Sequence, residues 1–293
     1  MTSLRQLGDD TVGTFTIGGD LTVRRLGFGA MRISGARAGG VRDRDEARNI
    51  MRRVIDRGVN FIDTANIYGF GESEEIIAEA LYPYPAGVVI ATKAGYKPAK
   101  ILKGHITLPS IGHPDHIREE CEKSLRRLRV DTIDLYQVHV PDPNVPYDET
   151  IGAFVELQQA GKVRHIGISN ITAGQLAFAR NLCRVVSVQN RYNAGDRTSD
   201  DVLDACNEQG IAFLPWAPII LPHRRVAVVM DEVATAHGAT VQHVALQWLL
   251  HRAPNIIPIP GTSSVAHAEE NIDAAWLELS ATEIARIDEA AGA

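Results

Sequence analysis

Four residues, Asp63, Tyr68, Lys93 and His139, are of types that together could deliver a proton, and each lies at or just beyond the end of a short apolar run. The stretch VNFIDTANIYG, residues 59–69, carries Val59, Phe61 and Ile62 into Asp63 and reaches Tyr68 after a turn-prone segment containing Asn66. Taken singly, an acid at a strand end reads as a cap and a tyrosine as packing. A lysine closing VVIATK is more informative, because an unpaired ammonium in apolar surroundings carries a heavy desolvation penalty and calls for a carboxylate such as Asp63. An ion pair accounts for those two residues but leaves Tyr68 and His139 unexplained. A tyrosine titrates near ~10, so it is a poor acid at neutrality unless a nearby cation stabilises its phenolate. Lys93 could supply that charge, Asp63 could hold the lysine, and neutral His139 could orient a carbonyl oxygen. Such a set protonates an oxyanion while something else attacks the carbon. Other strand ends add Ser169, Asn170, Gln189 and Trp216. The Ser169 and Asn170 pair also reads as a helix N-cap.

The elements that must position these groups follow a repeated order of helix, glycine and strand. Residues 43–58, DRDEARNIMRRVIDRG, place Ala47, Ile50, Met51, Val54 and Ile55 at helical spacing, and Gly58 stops the helix before the strand that ends in Asp63. Gly161 and Gly210 repeat that arrangement. Eight apolar runs, residues 26–29, 61–63, 88–93, 133–139, 165–169, 185–189, 212–216 and 256–260, alternate with helical segments, the last helix over 281–290. They predict an α/β fold, a (β/α)8 TIM barrel, as a single domain over residues 1–293, with the chemistry at the C-terminal strand ends. An open doubly wound sheet is the competitor, but no GxGxxG follows the first strand. Residues 14–17 and 21–23 flank Gly18, Gly19 and Asp20 as a β-hairpin, expected to plug one end of the barrel.

Composition narrows the classes of function. Apolar residues at 45% and charged residues at 23% are ordinary globular values, and a net charge of −6 offers no basic footprint for nucleic acid or an anionic membrane. Cys121, Cys183 and Cys206 lack any CxxC spacing, so reduced thiols in a cytoplasmic protein are expected. No metal site is expected, since HExxH and similar ligand spacings are missing. His105 and His113 fall in a polar loop, and His243 and His251 are expected to face outward or cap. The N-terminus lacks a secretory pattern, and the apolar runs are too short to span a bilayer.

Taken together, FIDTANIYGFGESE, ATKAG, DLYQVHVPDP, GKVRHIGISN with SVQNRYN, and IPIPGTSSVAHAEEN resemble, in order, the motifs of the aldo-keto reductases. The wording of the last motif and the GAM of the first strand look most like bacterial members that include pyridoxal reductases. The resemblance implies that Asp63, Tyr68, Lys93 and His139 form a catalytic tetrad with Tyr68 as general acid. It implies NADP(H) as cofactor and a small-molecule carbonyl substrate. For the coenzyme it implies Ser169, Asn170 and Gln189 at the carboxamide, Trp216 stacked on the nicotinamide where many relatives have tyrosine, and contacts from Gly29, Ala30, Met31 and Asp63. In the coenzyme loop it implies Gly261, Thr262, Ser263, His267, Glu270 and Asn271. Three departures stand out: Val140 follows the histidine where many relatives have tryptophan, Gly261 replaces a lysine, and His267 replaces an arginine. The segment APIILPHRR after the seventh strand is short, which predicts an open mouth. Two other readings are a coenzyme-binding regulator with little turnover, and a lyase or hydrolase using Lys93 as a Schiff base.

Overall fold

The computed structural model describes residues 5–35, 40, 43–97, 100–102, 105–220 and 224–292. After a short helix α1 (Asp9–Val12), strands β1 (Thr14–Ile17) and β2 (Leu21–Arg24) pair antiparallel as the expected hairpin. Strands β3 (Phe28–Gly29), β4 (Phe61–Asp63), β5 (Val89–Ala94), β8 (Ile133–Val138), β9 (Val163–Ser169), β10 (Val185–Gln189) and β11 (Ala212–Phe213) form one parallel seven-stranded sheet in chain order. Between β5 and β8, β6 (Lys100–Leu102) and β7 (His105–Thr107) make a small antiparallel ladder.

The expected eighth strand is present as a bridge and not as a ladder. Phe213 N–H donates to Asn255 O and Ile257 N–H donates to Phe213 O, both at 2.9 Å, joining the segment to β11. On its other side Gly27 N–H donates to Pro258 O at 2.9 Å and Gly29 N–H to Pro260 O at 3.1 Å, joining it to β3. The circle is thereby closed as a (β/α)8 barrel. Pro258 and Pro260 have no N–H to give, so the segment accepts along that edge without a regular two-way pattern.

Helices α2 (Arg44–Asp56), α3 (Glu72–Leu81), α4 (Pro114–Leu128), α5 (Tyr147–Gln159), α6 (Ala173–Arg180), α7 (Asp200–Glu208), α8 (Arg224–His237) and α9 (Val241–Arg252) alternate with the strands, and α10 (Val265–Asp273) and α11 (Ala281–Gly292) complete the chain. Side-chain caps explain their starts: Asp43 accepts from Asp45 N at α2, and Thr172 and Thr240 form capping boxes at α6 and α9. The barrel lumen is a cluster of its own. Ile17, Leu21 and Val23 of the hairpin pack with Phe61, Val89, Leu135, Val186, Ala212 and Ile257, which lie at or near the starts of successive barrel strands. The hairpin is therefore a plug at the N-terminal end, as expected. Asp20 in its turn fixes it to β9 by accepting from Arg164 and pairing with His165 Nε2 at 2.6 Å.

Candidate active site

Each residue of the expected tetrad sits at the C-terminal end of a barrel strand, the end opposite the plug. Asp63 closes β4, Lys93 lies in β5, His139 follows β8 by one residue, and Tyr68 opens a short 3-10 turn, Tyr68–Gly71, on the loop after β4. Parallel pairing of β4, β5 and β8 brings the first three side by side. Lys93 is wholly buried, and its Nζ donates to Asp63 Oδ2 at 2.6 Å and to Thr64 O at 2.7 Å. It also hydrogen-bonds Tyr68, with Nζ 5.2 Å from the ring centroid. Burial pushes the Lys93 ammonium down, but Asp63 and Tyr68 together outweigh it and raise the group above its ordinary value. It stays charged.

His139 answers differently to the same surroundings. Burial, with the Lys93 cation beside it, holds its imidazole well below the ordinary histidine range, so it is neutral near pH 7. Its ring meets Tyr68 edge to face at 5.9 Å, and its Nδ1 is buried without a hydrogen-bond partner among the described residues. The four expected residues therefore form one cluster holding a buried cation, a phenol and a neutral imidazole.

The residues expected at the coenzyme fall into two groups. In the first, Ser169 Oγ donates to Gln189 O at 2.6 Å, and Asn170 Nδ2 donates to His139 O at 2.9 Å. Asn170 Oδ1 in turn accepts from Trp216 Nε1 at 3.0 Å, which fixes the half-buried indole over the strand ends. Gln189 reaches further in than expected, its Nε2 donating to Asp63 Oδ1 at 2.8 Å. In the second group, the ends of β3 and of the 256–260 segment meet so closely that a Cβ on Gly261 would lie 2.4 Å from Gly29 O. Ala30 and Met31 follow in a 3-10 turn. Beyond Gly261, the hydroxyl of Thr262 accepts from Ser264 N, and Ser264 caps α10 by accepting from His267 N. His267 is exposed, while Asn271 is buried and the Glu270 carbonyl accepts from His243.

Two neighbours of the cluster were not among the residues singled out from sequence. Gln137 Nε2 donates to Asp63 Oδ1 at 3.2 Å, and strand alternation could have found it, since Gln137 and His139 are two apart and share a face. Tyr96, on the loop after β5, lies edge to face with His139 at 4.7 Å. Nothing in the sequence pattern marks it. Three of the four non-glycine residues with left-handed backbone among those described, Phe70, Asn170 and Ala217, lie on loops at this end, one or two residues beyond Tyr68, Ser169 and Trp216. Such strain collects where a fold holds functional loops.

Among the described residues, the other histidines and cysteines singled out from sequence form no such cluster. His113 is the exposed N-cap of α4, His243 closes the capping box of α9, and His251 Nδ1 pairs with Gln247 O. His105 lies in β7 instead of a loop, and its side chain is outside the described residues. All three cysteines are free, and burial pushes the Cys121 and Cys206 thiols up to about 12 and that of Cys183 up to about 11.

Comparison with known proteins agrees with this geometry. The model of the Aldo/keto reductase family matches residues 25–291. The pyridoxine 4-dehydrogenase of Escherichia coli is 40% identical over 282 residues, covering 94% of this chain and 97% of that protein. A crystal structure of a thermostable aldo-keto reductase with the inhibitor epalrestat superposes with a TM-score of 0.83 at 29% identity, covering 94% of this chain and 99% of that one. An aldo-keto reductase from Klebsiella pneumoniae, crystallised in complex with NADPH, superposes with a TM-score of 0.77 at 26% identity, covering 94% of each chain. On its sequence, its barrel and its strand-end cluster, the chain belongs to the aldo/keto reductase family, whose members are oxidoreductases.

Proposed function

We infer that this chain is an NADPH-dependent carbonyl reductase that converts small aldehydes or ketones to alcohols, with Tyr68 as proton donor. One observation carries the reading: a fully buried Lys93 ammonium held between Asp63 and Tyr68, with neutral His139 beside them. The residues present fit the coenzyme. The first-turn amides of α10, apart from that of His267 which Ser264 caps, would suit a phosphate, with Thr262, Ser263 and His267 as further donors, and Gly29, Ala30, Met31, Gly261, Glu270 and Asn271 would line the rest of the coenzyme path. Ser169, Asn170 and Gln189 would meet the carboxamide, and the indole of Trp216 offers the stacking surface. When bound, the reduced nicotinamide supplies a hydride to the carbonyl carbon.

The chain's own groups do the rest. Tyr68 transfers its phenolic proton to the carbonyl oxygen as charge develops there, and the C=O bond becomes a C–H and an O–H. The phenolate left behind is stabilised by Lys93, which Asp63 keeps charged and in place. His139, uncharged, can donate a hydrogen bond to the same oxygen without competing as an acid. The Escherichia coli relative is named for pyridoxine, so pyridoxal is the first carbonyl to test.

The experiment is a screen of aldehydes and ketones, pyridoxal included, followed by NADPH absorbance in native protein and Tyr68→Phe. The variant should bind NADPH nearly as well as native protein and lose ~10²–10⁴ in kcat, the usual worth of a general acid. Near-native kcat in Tyr68→Phe removes that residue from the chemistry.

A further inference from the structure

Behind the cluster a chain of half-buried and buried polar contacts runs through α4, a helix that carries none of the four residues. Asn66 lies between Asp63 and Tyr68, is 6% exposed, and donates from its backbone N–H to Lys93 O at 3.2 Å. Its Nδ2 donates to Glu120 Oε2 at 2.8 Å, while its Oδ1 is buried without a hydrogen-bond partner among the described residues. One side-chain bond therefore orients it. Glu120 also accepts from Lys123 at 2.8 Å; burial opposes its ionisation, yet the bonds from Lys123 and Asn66 prevail and hold the carboxyl below its ordinary value.

Two turns along the same face of α4, Arg127 Nε donates to Glu74 Oε2 at 2.6 Å. Glu74 is fully buried and accepts from Thr92 Oγ1, also at 2.6 Å, and Thr92 immediately precedes Lys93. Arg127 packs against Gly71 as well, where a Cβ would lie 2.6 Å from its Cδ and Nε. A side chain at 71 would push the arginine away, and the backbone there has a φ of 100° that favours glycine. So α4 touches the Tyr68 loop at both ends, Asn66 and Gly71, and β5 through Glu74.

We propose that Glu120 is a positioning residue, which acts through Asn66 from α4 to set the distance between the Tyr68 phenol and the Lys93 ammonium. This rests on the assignment of Tyr68 as proton donor. The physical ground is that a tyrosine on a loop is only as well placed as the loop, and a misplacement of about 1 Å can cost ~10²-fold in rate. The Asn66 to Glu120 bond ties α4 to the segment joining Asp63 to Tyr68.

The test is a double-mutant cycle on kcat with Asn66→Ala, Glu120→Ala and both together, using the carbonyl that native protein reduces best. Each single change should lower kcat by roughly tenfold, within the range that misplacement costs, and the double variant should be no slower than the slower single. NADPH Kd, read by tryptophan fluorescence, should change by less than about twofold, because no coenzyme group is touched. Glu120→Gln keeps an acceptor and should recover most of the rate. A purely structural role would lower the melting temperature without this split between kcat and Kd, and without coupling. Native kcat in Glu120→Ala, or losses that multiply in the double variant, overturns the proposal.

Should Glu120→Ala fail to fold, the exchanged pair decides it. Asn66→Asp alone sets two carboxylates face to face and should be slow; adding Glu120→Gln restores a donor and should restore kcat, and no recovery overturns the proposal. Tyr68→Phe in the same assay separates the two readings. If that variant keeps native rate, the proton-donor assignment fails; if it is inactive while Asn66→Ala and Glu120→Ala are unaffected, only the positioning role fails.

Discussion

The ammonium of Lys93 and the imidazole of His139 sit in one buried cluster yet end in opposite charge states, and the reason is partner count. Lys93 has an acid and a phenol within reach, whereas His139 has a cation beside it and no partner for Nδ1 among the described residues. The consequence for stability has a definite sign. In the unfolded chain His139 protonates below ~6.5, while in the folded state it resists protonation to a much lower pH. The unfolded state then binds more protons, so stability is present above ~6.5 and is lost as pH falls from there towards the folded value, by up to ~1.4 kcal/mol per pH unit. His139→Gln should flatten that loss in denaturant titrations between about pH 7 and 5. Identical slopes in native protein and variant would show that His139 is not held neutral. The Lys93 pair gives a second expectation. Lys93→Met strands the Asp63 carboxylate, which is costly by about 3–5 kcal/mol when a buried pair loses one member. Adding Asp63→Asn should recover part of that stability, in part because the Gln137 and Gln189 amides can turn to face an amide. A double variant no more stable than Lys93→Met would contradict the pairing.

At the scale of elements, glycines with the same one-letter code should respond with opposite sign. Gly261→Ala places a methyl 2.4 Å from Gly29 O, backbone against backbone, so the coenzyme segment must shift and stability should fall by ~1–3 kcal/mol. Gly152 lies inside α5 with nothing within 4 Å of its would-be Cβ, so Gly152→Ala should stabilise by about 0.5–1 kcal/mol. Melting curves of the two variants check both, and a neutral Gly261→Ala would show that the contact yields. The helix, glycine, strand order made the barrel legible because the barrel strands are almost entirely buried and helices such as α2 and α4 bury one face. Two features escaped that reading. The β6–β7 ladder joins two strands of three residues each, too short for a two-residue period to stand out in the sequence. The eighth strand is legible as apolar residues 256–260, but an apolar run does not report that Pro258 and Pro260 leave it bridged without a ladder. The pairing of Lys93 with Asp63 was legible because a charge inside an apolar run demands a partner, while that of Glu120 with Asn66 was not. Their pairing joins a loop to a helix 54 residues on, and no local pattern reports a contact of that kind.

Across the whole molecule, the apolar plug and the proposed catalytic cluster lie at opposite ends of one barrel. The plug packs Ile17, Leu21 and Val23 onto side chains at the N-terminal ends of the strands, and Asp20 anchors it outside through Arg164 and His165. The cluster of Asp63, Tyr68, Lys93 and His139 lies at the C-terminal ends, with the lumen's apolar layers between. In barrels of this kind loops at the C-terminal end change function, while the opposite end serves the fold. Ile17 is fully buried, so Ile17→Ala should cost about 2–5 kcal/mol through lost transfer energy and the cavity left behind. That loss should appear as a lower midpoint in denaturant and a lower melting temperature. At 25 °C, well below the transition, kcat and the Kd for NADPH should match native values, because Ile17 belongs to the apolar cluster of the plug and lumen, which includes none of Asp63, Tyr68, Lys93 and His139. Steady-state kinetics and melting curves on the same preparation make the comparison. If Ile17→Ala lowers kcat while the protein remains folded, the plug is coupled to the mouth through the lumen, and the division of labour between the two ends is wrong.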